Sequence, residues 1–137
     1  MINNISFINE YFLSGNHIYL FKGRCDNCSG KSAILDTMQL DVGNMSSICV
    51  KFWYYLYGST IDTLRLNVVN DNGTTEIWSI SGDQGEQWYM TQTEIQTSDS
   101  TIRLQVEGVY GSGQDSDISL DDISIYEGPC VPSMLLK

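Results

Sequence analysis

The sequence predicts an all-β protein, a two-sheet antiparallel sandwich of the jelly-roll kind, and three observations predict it. Apolar residues recur at every second position in run after run, helical periodicity is nearly absent, and each run is of strand length and ends in Gly, Asn or Asp turns. A length of 137 residues suits one domain with one core. A hydrophobic share of 42% with only 18% charged residues excludes a disordered tail.

The first element is a short apparent strand through His17, Ile18, Tyr19 and Leu20, followed by a loop around Lys22-Gly23-Arg24 and Ser29-Gly30-Lys31. In Ile48 to Leu56, the residues Ile48, Val50, Phe52, Tyr54 and Leu56 share one side, opposite Cys49, Lys51, Trp53 and Tyr55. One strongly apolar face marks a central strand. Leu64, Leu66 and Val68 alternate with Arg65 and Asn67, and Asn70-Asp71-Asn72-Gly73 then turns the chain into a hairpin with Thr75 to Ile80. Ser81 to Gly85 breaks the pattern before a strand from Trp88 to Ile95, and Ile102, Leu104 and Val106 alternate with Arg103, Gln105 and Glu107. No Gly-rich phosphate loop follows a strand and opens a helix, so Gly108 to Gly113 reads as a turn rather than a nucleotide site. Residues 1–130 are expected as one domain, with Val131-Pro132 opening a tail or linker over 131–137.

The last strand changes register. Ile118 and Leu120 share a parity that Ile123 and Ile125 do not, and the change falls at Asp121-Asp122. An extra residue of this kind is what a β-bulge supplies. A bulge that turned one of these carboxylates inward would call for backbone amides or a hard cation such as structural calcium, whereas on an exposed edge the two acids simply oppose aggregation.

Charge and cysteines bound the partners and the compartment. Seven Lys plus Arg against 17 Asp plus Glu give a net charge of −10, which repels nucleic acid and anionic membrane surfaces. The longest apolar stretches, such as Phe52 to Leu56, fall far short of the ~20 residues of a spanning helix. Four Cys and four sequons, at Asn4, Asn27, Asn44 and Asn72, point to an oxidising and glycosylating compartment. The first dozen residues lack the basic cluster of a secretory signal, so the chain is expected to be one module of a longer secreted or membrane-anchored protein. Of the three possible pairings, spacing favours Cys25 with Cys28 and Cys49 with Cys130; the second would stabilise the fold by ~4.5 kcal/mol on the chain-entropy account. Cys25-Asp-Asn-Cys28 lacks the βαβ surroundings of a redox site, and a single His leaves no zinc ligand set.

Several stretches together resemble a MAM domain, the module named for meprin, the A5 antigen and receptor tyrosine phosphatase mu. They are Cys49-Val-Lys-Phe-Trp-Tyr-Tyr-Leu-Tyr-Gly58, Gly82-Asp-Gln-Gly-Glu-Gln-Trp88, Ile102-Arg-Leu-Gln-Val-Glu-Gly108 and Gly111 through Asp121-Asp122-Ile123, then Cys130. A looser match runs through His17-Ile-Tyr-Leu20 and Lys31-Ser-Ala-Ile-Leu35. The resemblance implies a jelly roll, a Cys49–Cys130 disulfide, and an extracellular adhesion or assembly module without catalysis. It also implies a cation near Asp121 and Asp122. The sequence departs from the family in lacking a recognisable Cys-containing opening strand before Cys25.

The residues themselves argue against an enzyme, since His17 is the only imidazole and has neither a nucleophile nor an orienting acid beside it. Neighbouring pairs such as Asp115 and Asp117 do not span the cleft that glycoside hydrolysis needs. The expected function is therefore recognition of a protein on a cell surface or in the matrix, with homophilic recognition left open. Candidate contact residues are Trp53, Tyr55, Tyr57 and Tyr110, although Trp53 is expected to pack into the interior before it serves as a contact. The alternative is a carbohydrate-binding module of a secreted hydrolase, which a planar row of exposed aromatics would favour.

Overall fold

A computed structural model describes residues 2–5, 19–22, 30, 32–37, 39–111 and 117–132, with the backbone alone described for the first two segments and Tyr110. The described strands are β1 (Ile2–Ile5), β2 (Tyr19–Lys22), β3 (Ser32–Thr37), β4 (Leu40–Asp41), β5 (Ser47–Tyr57), β6 (Ile61–Asn70), β7 (Gly73–Ser81), β8 (Trp88–Gln96), β9 (Thr101–Tyr110) and β10 (Asp117–Glu127). They form two sheets. One runs β1-β3-β9-β6-β7, with β4 beside β9, and the other β2-β10-β5-β8.

All described pairings are antiparallel except that of β1 with β3, which is parallel. That exception has a topological reason: β2, in the opposite sheet, lies between them in the chain and supplies the long crossover that a parallel pair requires.

The alternation read in the sequence sorts the side chains. On β5, Ile48, Val50, Phe52, Tyr54 and Leu56 all face the interior and are buried. They meet Leu64, Leu66 and Val68 of β6 and Ile102, Leu104 and Val106 of β9 in one core between the sheets. Phe52, Leu56, Leu64, Leu66 and Leu120 have no solvent exposure. Trp78 of β7 closes one side of the core, edge-on to Phe52 at 5.4 Å, and Tyr89 of β8 stacks on Tyr54 at 5.8 Å.

The change of parity in β10 is a bulge. Pairing with β5 is regular from Asp117 to Asp121 and resumes at Ser124, one residue out of step. Asp122 takes a left-handed conformation with φ 49°, and its N–H donates to the Asp121 carboxylate at 2.8 Å. Ile118, Leu120, Ile123 and Ile125 consequently all face the core. Of the two alternatives open at Asp121-Asp122, the bulge turns Asp122 out to solvent, leaves Asp121 half-buried and gives the interior to Leu120 and Ile123.

Cys49 and Cys130 are joined by a disulfide that spans 81 residues. Cys49 lies on the outer side of β5 and is nevertheless fully buried. The segment after β10 covers it: the Val131 carbonyl accepts from Gln92 Nε2 of β8 at 2.7 Å, and its N–H donates to the Tyr126 hydroxyl of β10 at 3.3 Å. The start of the expected tail is thus laid across β5, β8 and β10.

Candidate recognition surface

The two outer faces of the sandwich differ in kind. On the sheet that contains β9, outward positions carry an ionic lattice: Arg103 pairs with Asp36, Arg65 lies 3.7 Å from Glu107 and 3.8 Å from Glu76, and Asn67 donates to Glu107. This is an ordinary solvated face.

On the other sheet, the outward positions of β5 beyond Lys51 are Trp53, Tyr55 and Tyr57. Strand pairing adds to them. Trp53 stands opposite Met90, and Tyr55 opposite Trp88, so that β8 contributes side chains to the same face. Tyr55 lies 5.5 Å from Trp88 and 6.2 Å from Tyr57, with interplanar angles of 43° and 48°. Trp53 is 38% exposed and Tyr57 43% exposed, while Tyr55, Trp88 and Met90 are half-buried among their neighbours. The expectation that Trp53 packs into the interior is corrected: its parity is opposite to that of Phe52, and among the described residues no second layer covers it.

Acidic residues border this face at the end where β5 turns into β6. Asp117 pairs across from Tyr57, and Asp83 and Glu86 lie in the loop that leads into Trp88; all three are exposed. That loop has a defined shape, because Asp83 Oδ1 accepts from the N–H of Gly85 at 2.9 Å and of Gly58 at 3.4 Å, and Gln84 N–H donates to the Leu56 carbonyl. The rim is felt by the aromatics. Tyr55 is held above the ordinary tyrosine range, first by loss of water around its ring, then by the negative charge of Glu86, with Tyr57, Asp117 and Asp83 acting in the same sense.

The remaining expected sites are dispersed. Tyr110 ends β9 with its backbone opposite Ile61; its side chain lies outside the described residues. Asn44 and Asn72 are exposed, in the turns before β5 and between β6 and β7, at the opposite end of the sandwich from the acidic rim. Asn4 falls in β1, and Asn27, Cys25 and Cys28 lie outside the described residues. Among the described residues, no three His, Cys, Asp or Glu side chains gather in a metal-binding cluster, so Asp121 and Asp122 acquire no third acidic partner there. No helix among the described residues is long and apolar enough to cross a membrane.

Trp88 and Met90 were not legible as surface residues in the sequence. Alternation from Trp88 to Ile95 separates two faces without saying which is outward; the signal lies in the register with β5.

Comparison with known proteins places the chain. Residues 9–131 match the family model for the MAM domain, meprin/A5/mu. The MAM domain-containing glycosylphosphatidylinositol anchor protein 1 of Rattus norvegicus is 40% identical over 85 residues, covering 60% of this chain and 9% of that protein. The corresponding anchor protein 2 of Mus musculus is 36% identical over 88 residues, 62% of this chain and 9% of its own length. Neuropilin-1 of Xenopus laevis is 26% identical over 115 residues, 82% of this chain and 12% of the relative. The chain therefore spans only 9 to 12% of the length of these curated relatives.

Among solved structures, TmCBM61 in complex with beta-1,4-galactotriose superposes with a TM-score of 0.52 at 14% identity, covering 81% of this chain and 82% of that one. An exo-beta-agarase gives 0.54 at 14% identity over 75% of this chain and 19% of that one. At such identity the likeness shows a shared β-sandwich jelly roll and nothing of function. The family match over most of the chain, the motif series from Cys49 to Cys130 and the relatives together show that this extracellular module belongs to the MAM domain family.

Proposed function

We propose that this module is a non-catalytic recognition unit of a larger extracellular protein and that it binds a protein partner through Trp53, Tyr55, Tyr57 and Trp88. The observation that carries the reading is a contiguous set of solvent-facing aromatics on one sheet, opposite a sheet whose outer face is ionic. Large rings with few rotatable bonds lose little entropy on binding and bury much area, which is why Trp and Tyr dominate interface hot spots. The reading assigns no catalytic residue.

A sugar-binding role is the second reading, because exposed aromatics on a jelly roll could also stack on sugar rings. The tilts of 43° and 48° between neighbouring rings weigh against it, since a flat saccharide chain needs a coplanar platform. The two readings separate on intact cells stained with a multivalent form of the folded domain. We expect surface binding that trypsin treatment of the cells removes, that glycosidase treatment spares and that Trp53→Ala in the domain abolishes. Binding that survives trypsin and follows glycosidase treatment, or that appears on a glycan array, would reverse the order.

A further inference from the structure

We propose that the partner segment docking on this face is cationic and arginine-bearing, with a guanidinium seated over the Trp53–Tyr55–Trp88 rings inside the acidic rim; this rests on the recognition reading above.

Three observations lead there. First, aromatic faces carry negative quadrupoles, so an exposed group of rings attracts a cation, and arginine in particular stacks on such planes while keeping its donors free at the edges. Second, the acceptors for those donors stand where they are needed. Glu86 lies two residues before Trp88, and Asp117 sits directly across from Tyr57, both exposed. Acidic groups bordering an apolar centre reproduce the core-and-rim layout of a protein interface, with Asp83 and Glu86 making the rim beside Trp88 acidic. Third, the long-range field agrees. A net charge of −10 draws basic partners to the module and repels a second copy of it. Arg65 and Arg103 are engaged with acids on the other sheet, and Lys51 lies towards the Cys49 end of β5, opposite Gln92 and Ser124. Lys22 of β2 stands across from Asp117, so the acceptors that carry the rim are Asp83 and Glu86, in the loop on the far side of Tyr55. A self-complementary contact through this face would bring two acidic rims together, so the occupant is a different, basic chain.

The probe is a short capped peptide with two arginines flanking a tyrosine, compared with its lysine and citrulline counterparts, titrated into the folded, oxidised chain and followed by backbone amide shifts. The expected result is a set of shifts confined to residues 53–57, 83–90 and 117–121. Lysine should bind about threefold more weakly and citrulline at least tenfold more weakly, because citrulline keeps the shape and loses the charge. Raising salt from 50 to 300 mM should weaken binding several-fold, as should the double variant Glu86→Gln, Asp117→Asn. Trp53→Ala should remove the shifts. Equal binding of the citrulline peptide, or binding unaffected by the double variant, overturns the cationic partner while leaving aromatic recognition standing. Shifts centred elsewhere, or none with arginine peptide at millimolar concentration, also overturn it. Self-association of the unliganded chain at physiological salt, lost with Trp53→Ala, would replace it with a homophilic contact. Cell-surface staining indifferent to Trp53→Ala would instead remove the recognition reading itself.

Discussion

Gly111 follows β9 where only a glycine fits, since a Cβ built there would lie 1.7 Å from the Thr60 carbonyl oxygen in the turn between β5 and β6. Gly111→Ala must displace backbone rather than a flexible side chain, and it should cost about 1–3 kcal/mol by equilibrium denaturation. Tyrosine ionisation is the second effect at this scale. Burial, followed by the neighbouring Tyr89, raises the Tyr54 hydroxyl, and loss of water followed by Glu86 raises Tyr55. Both groups hold their protons more tightly in the folded chain than in the unfolded one, whose tyrosines titrate near ~10. Their contribution to stability is therefore fully present below about pH 10 and is lost as pH rises through their raised folded values. An alkaline absorbance titration should show late-ionising tyrosines, and Tyr55→Phe should remove one of them. A normal titration of all tyrosines would contradict this account.

Strand β5 shows how two adjacent residues acquire opposite roles. Phe52 has no exposure and contacts Tyr54 and Trp78, whereas Trp53 points into solvent. Phe52→Ala should cost about 3–5 kcal/mol through transfer and cavity terms, while Trp53→Ala should change stability by less than about 1 kcal/mol and act on binding alone. Chemical denaturation of the two variants checks both. The inward face of β5 was legible because five apolar residues share one parity. Its other face was not, because Trp53, Tyr55 and Tyr57 are apolar too, and composition alone favours burying a Trp. In β10 the slip was legible at Asp121-Asp122 as a broken period. Its outcome was not, since a bulge can send the extra residue to either side. Here it puts Asp122 outside in the left-handed region, which Asp tolerates better than most residues. The same device recurs in β7, where pairing slips between Leu66–Trp78 and Asn67–Glu76, and Ile77 and Trp78 both reach the core.

Across the whole molecule, the Cys49–Cys130 bond ties the middle of the chain to its end, and the adjoining segment is pinned to β8 and β10 by the Val131 backbone. Restricting a loop of this length in the unfolded chain contributes about 4.5 kcal/mol on the chain-entropy account. The double variant Cys49→Ser, Cys130→Ser should lose most of that amount in equilibrium unfolding, and a loss below about 1 kcal/mol would show that the covalent closure adds little. The division of labour between the two sheets also exists only at this scale. One outer face is occupied by its own ion pairs, and the other presents aromatics edged by acid, so the module has one face suited to a partner and one suited to water.

By itself the sequence determined the class of fold, the residues of the core, the place of the slip in β10 and the family, because a spacing of two and a motif series are properties of the chain read in order. Only the tertiary structure decided which aromatic parity meets solvent, that Trp88 and Met90 join Trp53 and Tyr55, and that Asp83, Glu86 and Asp117 border them. The physical reason is that a surface is made by neighbours across strands, and the register that selects those neighbours is fixed by the packing of the whole core rather than by any one segment.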